Sequence, residues 1–463
     1  MTLNGIEIGR RALLAQQYTM DVVGQNIANI NTAGYSRQVV NLETTEPTFV
    51  AVMNKNKPLA SLGSGVKVAQ IQRIRDSFLD SQDRSINMEY GRWNQESQNY
   101  SLVEGIFNEP SSTGTASQLD KFWNSWQSLA SPDPSNAGVR TNVSSQASIL
   151  AQGLRGTRKQ LVDVQYNNNK DIEIKIAQIN DIAKQIATLN GQVVSSAASG
   201  DANDLKDKRN KLVGDLSKLI NVEYYEDSNS SATIAVGGVF LVSDNSTTNL
   251  VAQIDTTNKG YFSVKWENSG QQAYIVAGEL HGLLQSRDSI TTSFIDQLDS
   301  IASTLISSLN SQNRAGFTLN GDAGGDFFTG TSASDIDLSS EIKNNPAKIA
   351  ASSTAINVSG NGENARAMGD IRNNLLFNTK TTSINEYYQN MISGLGTSAS
   401  EVSTYLDTND SLSKQIAKQI ASTSGVSMDE EMTNMIKSQQ AYNAAAKYIQ
   451  TVTSCMDTLM KVI

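Results

Sequence analysis

One histidine, one cysteine and six prolines in 463 residues remove several kinds of protein at once. His281 stands alone, in a Gly278-Glu279-Leu280-His281-Gly282 stretch that reads as a helix start, and its simplest reading is a surface residue. A multi-histidine metal site is therefore excluded, and a Ser/His/Asp triad would rest on this single ring. Cys455 is the sole cysteine, so no intrachain disulfide forms; beside Met456 it reads as a small apolar filler in a helix interface. No proline lies between Pro134 and Pro346 or after Pro346, which permits very long helices. No run of about 20 apolar residues is present to span a bilayer, and the start, MTLNGIEIGRR, lacks the charged-then-apolar order of a secretory signal. A net charge of −9 without a basic run leaves no footprint for nucleic acid or anionic lipid. No cofactor, metal or membrane insertion is expected.

What the chain does have is apolar periodicity at both ends. Met428, Met435, Tyr442, Ile449, Met456 and Ile463 fall seven apart, with Ala445, Val452 and Leu459 three further on. Ile6, Leu13, Met20 and Ile27 repeat the period near the start, supported by Val23 and Ile30. These are coiled-coil seams, and each end is the natural partner of the other. Their polar faces are poor in charge: between Ala12 and Leu42 stand only Asp21 and Arg37, and between Met432 and Met456 only Lys437 and Lys447. The rest are amides and hydroxyls such as Gln16, Gln25, Asn26, Asn29, Gln439, Gln440 and Asn443. A helix with that face can be surrounded by other protein without burying ions. Two sticky termini point to assembly.

The chain is too long for a single core and divides into two to four domains. Residues 39 to 75 alternate like strands, with turn glycines at Gly63 and Gly65. Helical spacing runs from Asp76 to about Phe107, and again over residues 117 to 129, where Leu119, Phe122, Trp123, Trp126 and Leu129 share a face that reads as core. Residues 135 to 195 read as one very long helix, through Ile172, Ile179, Ile186 and Val193; a break at residues 199 to 201 and a second helix make a hairpin. Residues 222 to 276 alternate and form a small β insertion. Helical period returns from Leu280, gives way to a loop-rich stretch over 311 to 360, and resumes over 383 to 423. The expected fold is mainly α, an elongated and nested multidomain chain. Residues 1–65 and 425–463 form paired terminal helices with an adjoining extended segment, 66–221 and 277–424 a long-helix bundle, and 222–276 a β-rich insertion.

A search for chemistry finds little. Residues 320 to 326 place oxygen ligands at alternate positions, but Thr331 stands where a calcium loop needs a bidentate carboxylate, so the stretch reads as turns. Gly63-Ser64-Gly65 lacks the later glycine and the lysine of a phosphate loop. The chain is not expected to be an enzyme.

Asn26-Ile27-Ala28-Asn29-Ile30-Asn31-Thr32-Ala33-Gly34-Tyr35-Ser36-Arg37-Gln38 closely resembles the N-terminal signature of the axial proteins of the bacterial flagellum. Within that family the Gly-Tyr-Ser-Arg-Gln wording is similar to the hook-associated members rather than to rod and hook proteins, which tend to carry Gly-Phe. Gly425-Val426-Ser427-Met428-Asp429-Glu430-Glu431-Met432 and Gln439-Gln440-Ala441-Tyr442 are similar to the family's tail. Between the ends, residues 63 to 66, 74 to 79, 205 to 209, 278 to 280, and Arg287-Asp288 also match its pattern. Gln25 and Asn313 depart from it where histidine is frequent, Ser454-Cys455 replace an acidic pair, and the short passage from Phe328 to Asp335 leaves no room for an outer domain.

The resemblance implies a structural protein that assembles at the distal end of the hook to form the hook–filament junction. It implies export without a cleaved signal through the flagellar type III apparatus, an extracellular location, and terminal helices that order on assembly. Implied partners are other copies of the chain, the hook protein, the second hook-associated junction protein, and an export chaperone at the C-terminal helix. Tyr35 and Arg37 join the heptad residues as candidate interface positions, either reaching a neighbouring subunit or packing on their own turn. A sibling axial protein, or a flagellum-associated enzyme, is the alternative.

Overall fold

The computed structural model describes residues 2–46, 48–49, 61–130, 133–196 and 202–462. Helix α1 (Thr2–Ala28) leads into strand β1 (Gln38–Thr44), short strands β2 (Thr48–Phe49) and β3 (Ser61–Leu62), and β4 (Val66–Arg73). β1 and β4 are antiparallel, from Gln38 opposite Arg73 to Thr44 opposite Val66, with a bulge at Asn41/Leu42. Helices α2 (Ser77–Phe107), α3 (Thr115–Leu129), α4 (Ala137–Ser196) and α5 (Asn203–Leu219) follow. The β insertion holds a sheet of β5 (Glu223–Glu226), β6 (Ala232–Val236), β7 (Val239–Ser243) and β8 (Ser246–Thr247), in that order, and a hairpin of β9 (Leu250–Ile254) and β10 (Phe262–Trp266). Helix α6 (Gly278–Gln285) runs through a π-helical turn, Ser286–Ile290, into α7 (Thr291–Ala315). The pair β11 (Phe328–Thr329) and β12 (Asp337–Leu338) precedes α8 (Ser340–Asn344), α9 (Glu363–Asp370), α10 (Ile384–Ser424) and α11 (Met428–Val462).

Local chemistry sets these boundaries. Asp76 caps α2 by accepting from the Phe78 and Leu79 amides, and Asn108 ends it in the left-handed conformation at φ 46. The Asn136 side chain caps α4 through Gly138 and Val139. α4 then runs 60 residues without proline, about 90 Å at the usual rise. Ser383 and Glu386 form a capping box on α10, and α11 opens with Asp429, Glu430 and Glu431 against its positive end. The stop at residues 131–132 and the break at residues 199–201 lie outside the described residues.

Two apolar cores are strung along α4. The first gathers Trp123, Trp126, Phe122, Phe327 and Phe328 with the early part of α4 (Val143 to Leu161), α7 and α10. The second joins Ile172, Ile176, Ile179 and Ile186 of α4 to α5, α6 and the insertion's Ile234, Val236, Leu241 and Trp266. Among the described residues the strands of the insertion, β5 to β10, have no separate core; they are a lid on the far half of α4.

Two expectations from sequence are corrected. His281 is half-buried rather than on the surface, with Nδ1 3.0 Å from the Ile275 carbonyl oxygen. The loop before α6 folds back over the ring, which no local pattern announces. Cys455 is exposed, not packed into a helix interface: among the described residues α11 packs mainly against α1, and the thiol is left outside that contact. Asp322 pairs with Lys348 and Asp326 with Arg314, so the loop's carboxylates are engaged as ordinary surface ion pairs.

Candidate assembly interface

The two ends of the chain lie against each other. α1 meets α11 through glycines: a methyl group at Gly9 would overlap the Ile449 side chain, and one at Gly5 would sit 3.3 Å from Val452 and the Tyr448 hydroxyl. Ile6, Leu13, Met20 and Ile27 are half-buried, while Gly9, Ala15, Val22, Val23 and Asn26 are the buried line of α1. On α11, Met435, Tyr442, Ile449 and Met456 are half-buried and Met428 is 43% exposed; Ile463 lies outside the described residues. A single chain thus already forms both helices, which the resemblance left to order on assembly, because each stripe has the other to cover it. Apolar side chains remain uncovered on both helices: Leu14 and Tyr18 of α1 and Met432, Ile436 and Met460 of α11 are exposed, as is Tyr448, whose ring borders Gly5 and Gly9 of α1.

Below the pair, the turn after α1 is clasped by polar groups. Asn26 is 1% exposed and uses its whole amide. Its nitrogen donates to the Gln38 carbonyl at 2.9 Å and to Glu431 at 3.0 Å; its oxygen accepts from the Tyr35 hydroxyl at 2.9 Å and from the Gln38 amide at 3.0 Å. Arg37 reaches Glu430 at 2.7 Å, and its Nε lies 3.2 Å from Glu431 without hydrogen-bond alignment. The Arg37 amide donates to the Ser424 carbonyl at the end of α10. Ser36 donates through both amide and hydroxyl to Asp207 of α5, at 2.9 and 2.8 Å, and Asp207 also receives Arg73 at 2.7 Å. Gln38 donates to Asp204 and accepts from Asn203. Gly34, at φ 86, supplies the left-handed turn that lets Tyr35 to Gln38 enter this cluster.

Tyr35 and Arg37 are therefore held within the chain, Tyr35 half-buried on Asn26 and Arg37 across the start of α11. Burial first, then the carboxylates of Asp204, Asp207 and Glu431, push the Tyr35 phenol well above its usual range, so it stays a neutral donor. At the far end of α1, Arg10 and Arg11 hydrogen-bond Glu7 and hold its carboxyl down at about 2. The heptads show which helices meet. They are silent on Asn26, Ser36, Gln38, Asp204 and Asp207, whose polar side chains follow no period. The only signal was the wording of residues 26 to 38 and 205 to 209. Among the described residues no group of three His, Cys, Asp or Glu is arranged to hold a metal ion, and no helix is long and apolar enough to cross a membrane.

This geometry matches known proteins at the same places. Residues 100–328 match the model described as flagellar hook-associated protein FlgK helical domain. Residues 6–35 match that of flagella basal body rod protein, and 417–462 that of flagellar basal body rod FlgEFG protein C-terminal. Over its whole length the chain is 29% identical to flagellar hook-associated protein 1 of Bacillus subtilis, covering 99% of this chain and 98% of the relative. The chain belongs to the flagellar hook-associated protein 1 family. It is 26% identical to the member from Salmonella typhimurium, with 97% and 98% coverage. That alignment runs to 552 positions against 463 residues here, so the relative carries about a hundred residues that this chain lacks. The solved flagellar hook junction protein FlgK from Burkholderia pseudomallei shares the fold, with a TM-score of 0.64 at 16% identity over 73% of this chain and 99% of that one. The two rod-protein matches fall on α1 with its turn and on the end of α10 with α11, and the helical-domain match on the far end of α2 through α7 and on to β11.

Proposed function

We propose that this chain is a structural subunit of the hook–filament junction, built into the distal end of the hook as the base on which the filament grows. The observation that carries the reading is the closed inner pair with apolar side chains still uncovered on both of its helices. Leu14, Tyr18, Met432, Ile436, Tyr448 and Met460 are the residues that neighbouring copies would cover, each half-exposed side chain contributing about 1 kcal/mol on burial. The heptad residues hold the pair together, Tyr35 and Arg37 fasten the turn to it through Asn26 and Glu430, and Ser36 and Gln38 hold it onto the bundle through Asp207, Asp204 and Asn203. The parts in this reading are the terminal pair with its hairpin (1–65 and 425–463), the bundle (66–221 and 277–424) and the insertion (222–276). Its axial neighbours are further copies, the hook protein and the second hook-associated junction protein; an export chaperone takes the C-terminal helix before assembly. The chain acts outside the cell, after export, and catalyses nothing.

Deleting residues 428–463 tests this. The deletion removes one partner of the pair and neither apolar core, so the body should unfold cooperatively while cells making only this chain shed flagellin monomers and grow no filaments. Normal filaments from such cells would overturn the assignment.

A further inference from the structure

The boundary between the two apolar cores is a layer of polar groups contributed by α2, α4 and the α6–α7 junction, while α10 runs past it along α2. Asn168 of α4 donates to Asn99 of α2 at 2.9 Å, and Asn99 faces Thr291 at the start of α7. Asn169 accepts from Arg287 at 2.7 Å and from the Phe262 amide of β10 at 2.8 Å. Gln165 accepts from the Tyr261 hydroxyl and donates to the Arg287 carbonyl and to Thr292. Asn99, Gln165, Asn168, Asn169, Arg287 and Thr291 are all buried.

The same level carries the π-helical turn, Ser286–Ile290, that joins α6 to α7. A π turn widens the backbone ladder and leaves a carbonyl to be satisfied from outside. Here that carbonyl is Arg287's, which accepts from the Gln165 side chain at 2.9 Å and the Thr292 hydroxyl at 3.0 Å. Side chains thus stand in for helix bonds at one point of one helix, next to the level where interlocked apolar packing is interrupted. Apolar cores resist bending because their side chains interdigitate. A layer of amides can exchange one hydrogen-bond partner for another as the helices tilt. Ser286 places in the same turn a buried hydroxyl that has no partner among the described residues, an acceptor and donor held in reserve.

The geometry points to a flexure: the two cores are rigid bodies that tilt about the Asn99–Asn168–Arg287 layer, with α4 bending gently and the π turn taking up the change in length. In a junction subunit, this joint would let the half bearing the β insertion follow a bent neighbour while the other half keeps its packing. That use rests on the junction reading; the motion itself does not.

The test is a spin-label distance measurement on the full chain with Cys455→Ser, labelled at Ser303→Cys in α7 and Ser228→Cys in the β5–β6 turn, both exposed and on opposite sides of the layer. A broad distance distribution is expected, collapsing to a single narrow peak when Asn99→Leu and Asn168→Leu continue the apolar packing across the layer. A single narrow peak in the chain with native Asn99 and Asn168, or equal breadth in both, overturns the flexure. Circular dichroism and hydrogen exchange in both cores verify that the leucine pair folds; if it does not, the breadth measured without it decides alone. The isolated chain is measured, so failure here leaves the junction reading to its own experiment.

Discussion

Replacing Asn26 by alanine removes the centre of the clasp without touching an apolar contact of the helix pair. Four hydrogen bonds go: two donated, to the Gln38 carbonyl and Glu431, and two accepted, from Tyr35 and the Gln38 amide. Three are between neutral groups, at about 1 kcal/mol each, and the one to a buried carboxylate is stronger, about 1.5 to 3 kcal/mol. Water reaching the half-buried Tyr35 and Arg37 side recovers part, which leaves about 3 to 5 kcal/mol against holding the turn and α11 together. The assay is amide hydrogen exchange at Ser36, Arg37 and Gln38, whose N–H groups bond Asp207, Ser424 and Asn26. Their protection should fall by roughly 100-fold or more, along with that of the first turns of α11, while amides in the middle of α4 are unchanged. Asn31→Ala is the control: it lies in the same turn but exposed, and should stay within about 0.5 kcal/mol. If Asn26→Ala and Asn31→Ala behave alike, or the three amides are unprotected without substitution, the clasp does not hold the termini.

Across the chain, α1 and α11 should exchange faster than α4, since no described apolar side chain of α11 is fully buried whereas α4 buries isoleucines completely; equal protection would contradict this. Gly9→Val should weaken the helix pair by about 1 to 3 kcal/mol, because its side chain enters the space of Ile449, while Gly24→Ala, with nothing within 4 Å, should stabilise α1 by about 0.5 to 1 kcal/mol; chemical denaturation read at the termini separates them. Burial lowers the His281 pKa in the folded chain, so unfolded chain binds the proton first: stability from this group is whole above about pH 6.5 and is lost as pH falls through the depressed folded value. His281→Gln should flatten the loss of thermal midpoint between pH 7 and 5, and an unchanged slope would remove His281 as its source.

α4 was legible because Ile172, Ile179, Ile186 and Val193 repeat without a proline to interrupt them, and its observed bounds fall within two residues of those read from the pattern. The terminal pairing was legible for the same reason. What periodicity cannot carry is the partner of a polar group. Asn26 and Glu431 are 405 residues apart, and nothing near either one announces the other. His281 and Cys455 show the converse: each was given an environment from its own helix, and each environment was decided by what else reached that helix, a folded-back loop in one case and nothing in the other. The π turn at Ser286–Ile290 escaped because one extra residue barely disturbs a hydrophobic period of 3.6.

That separation of 405 residues makes the inner surface a test of length. A chain delivered from either end, whether from a ribosome or through a narrow channel, cannot form the Asn26–Glu431 contact until nearly all of it has emerged. A polypeptide that stops between α10 and Glu431 keeps every residue of both apolar cores but presents α1 with a bare stripe and an Asn26 lacking its carboxylate. The clasp thus closes only when both strands of sequence, some four hundred residues apart, are present to meet.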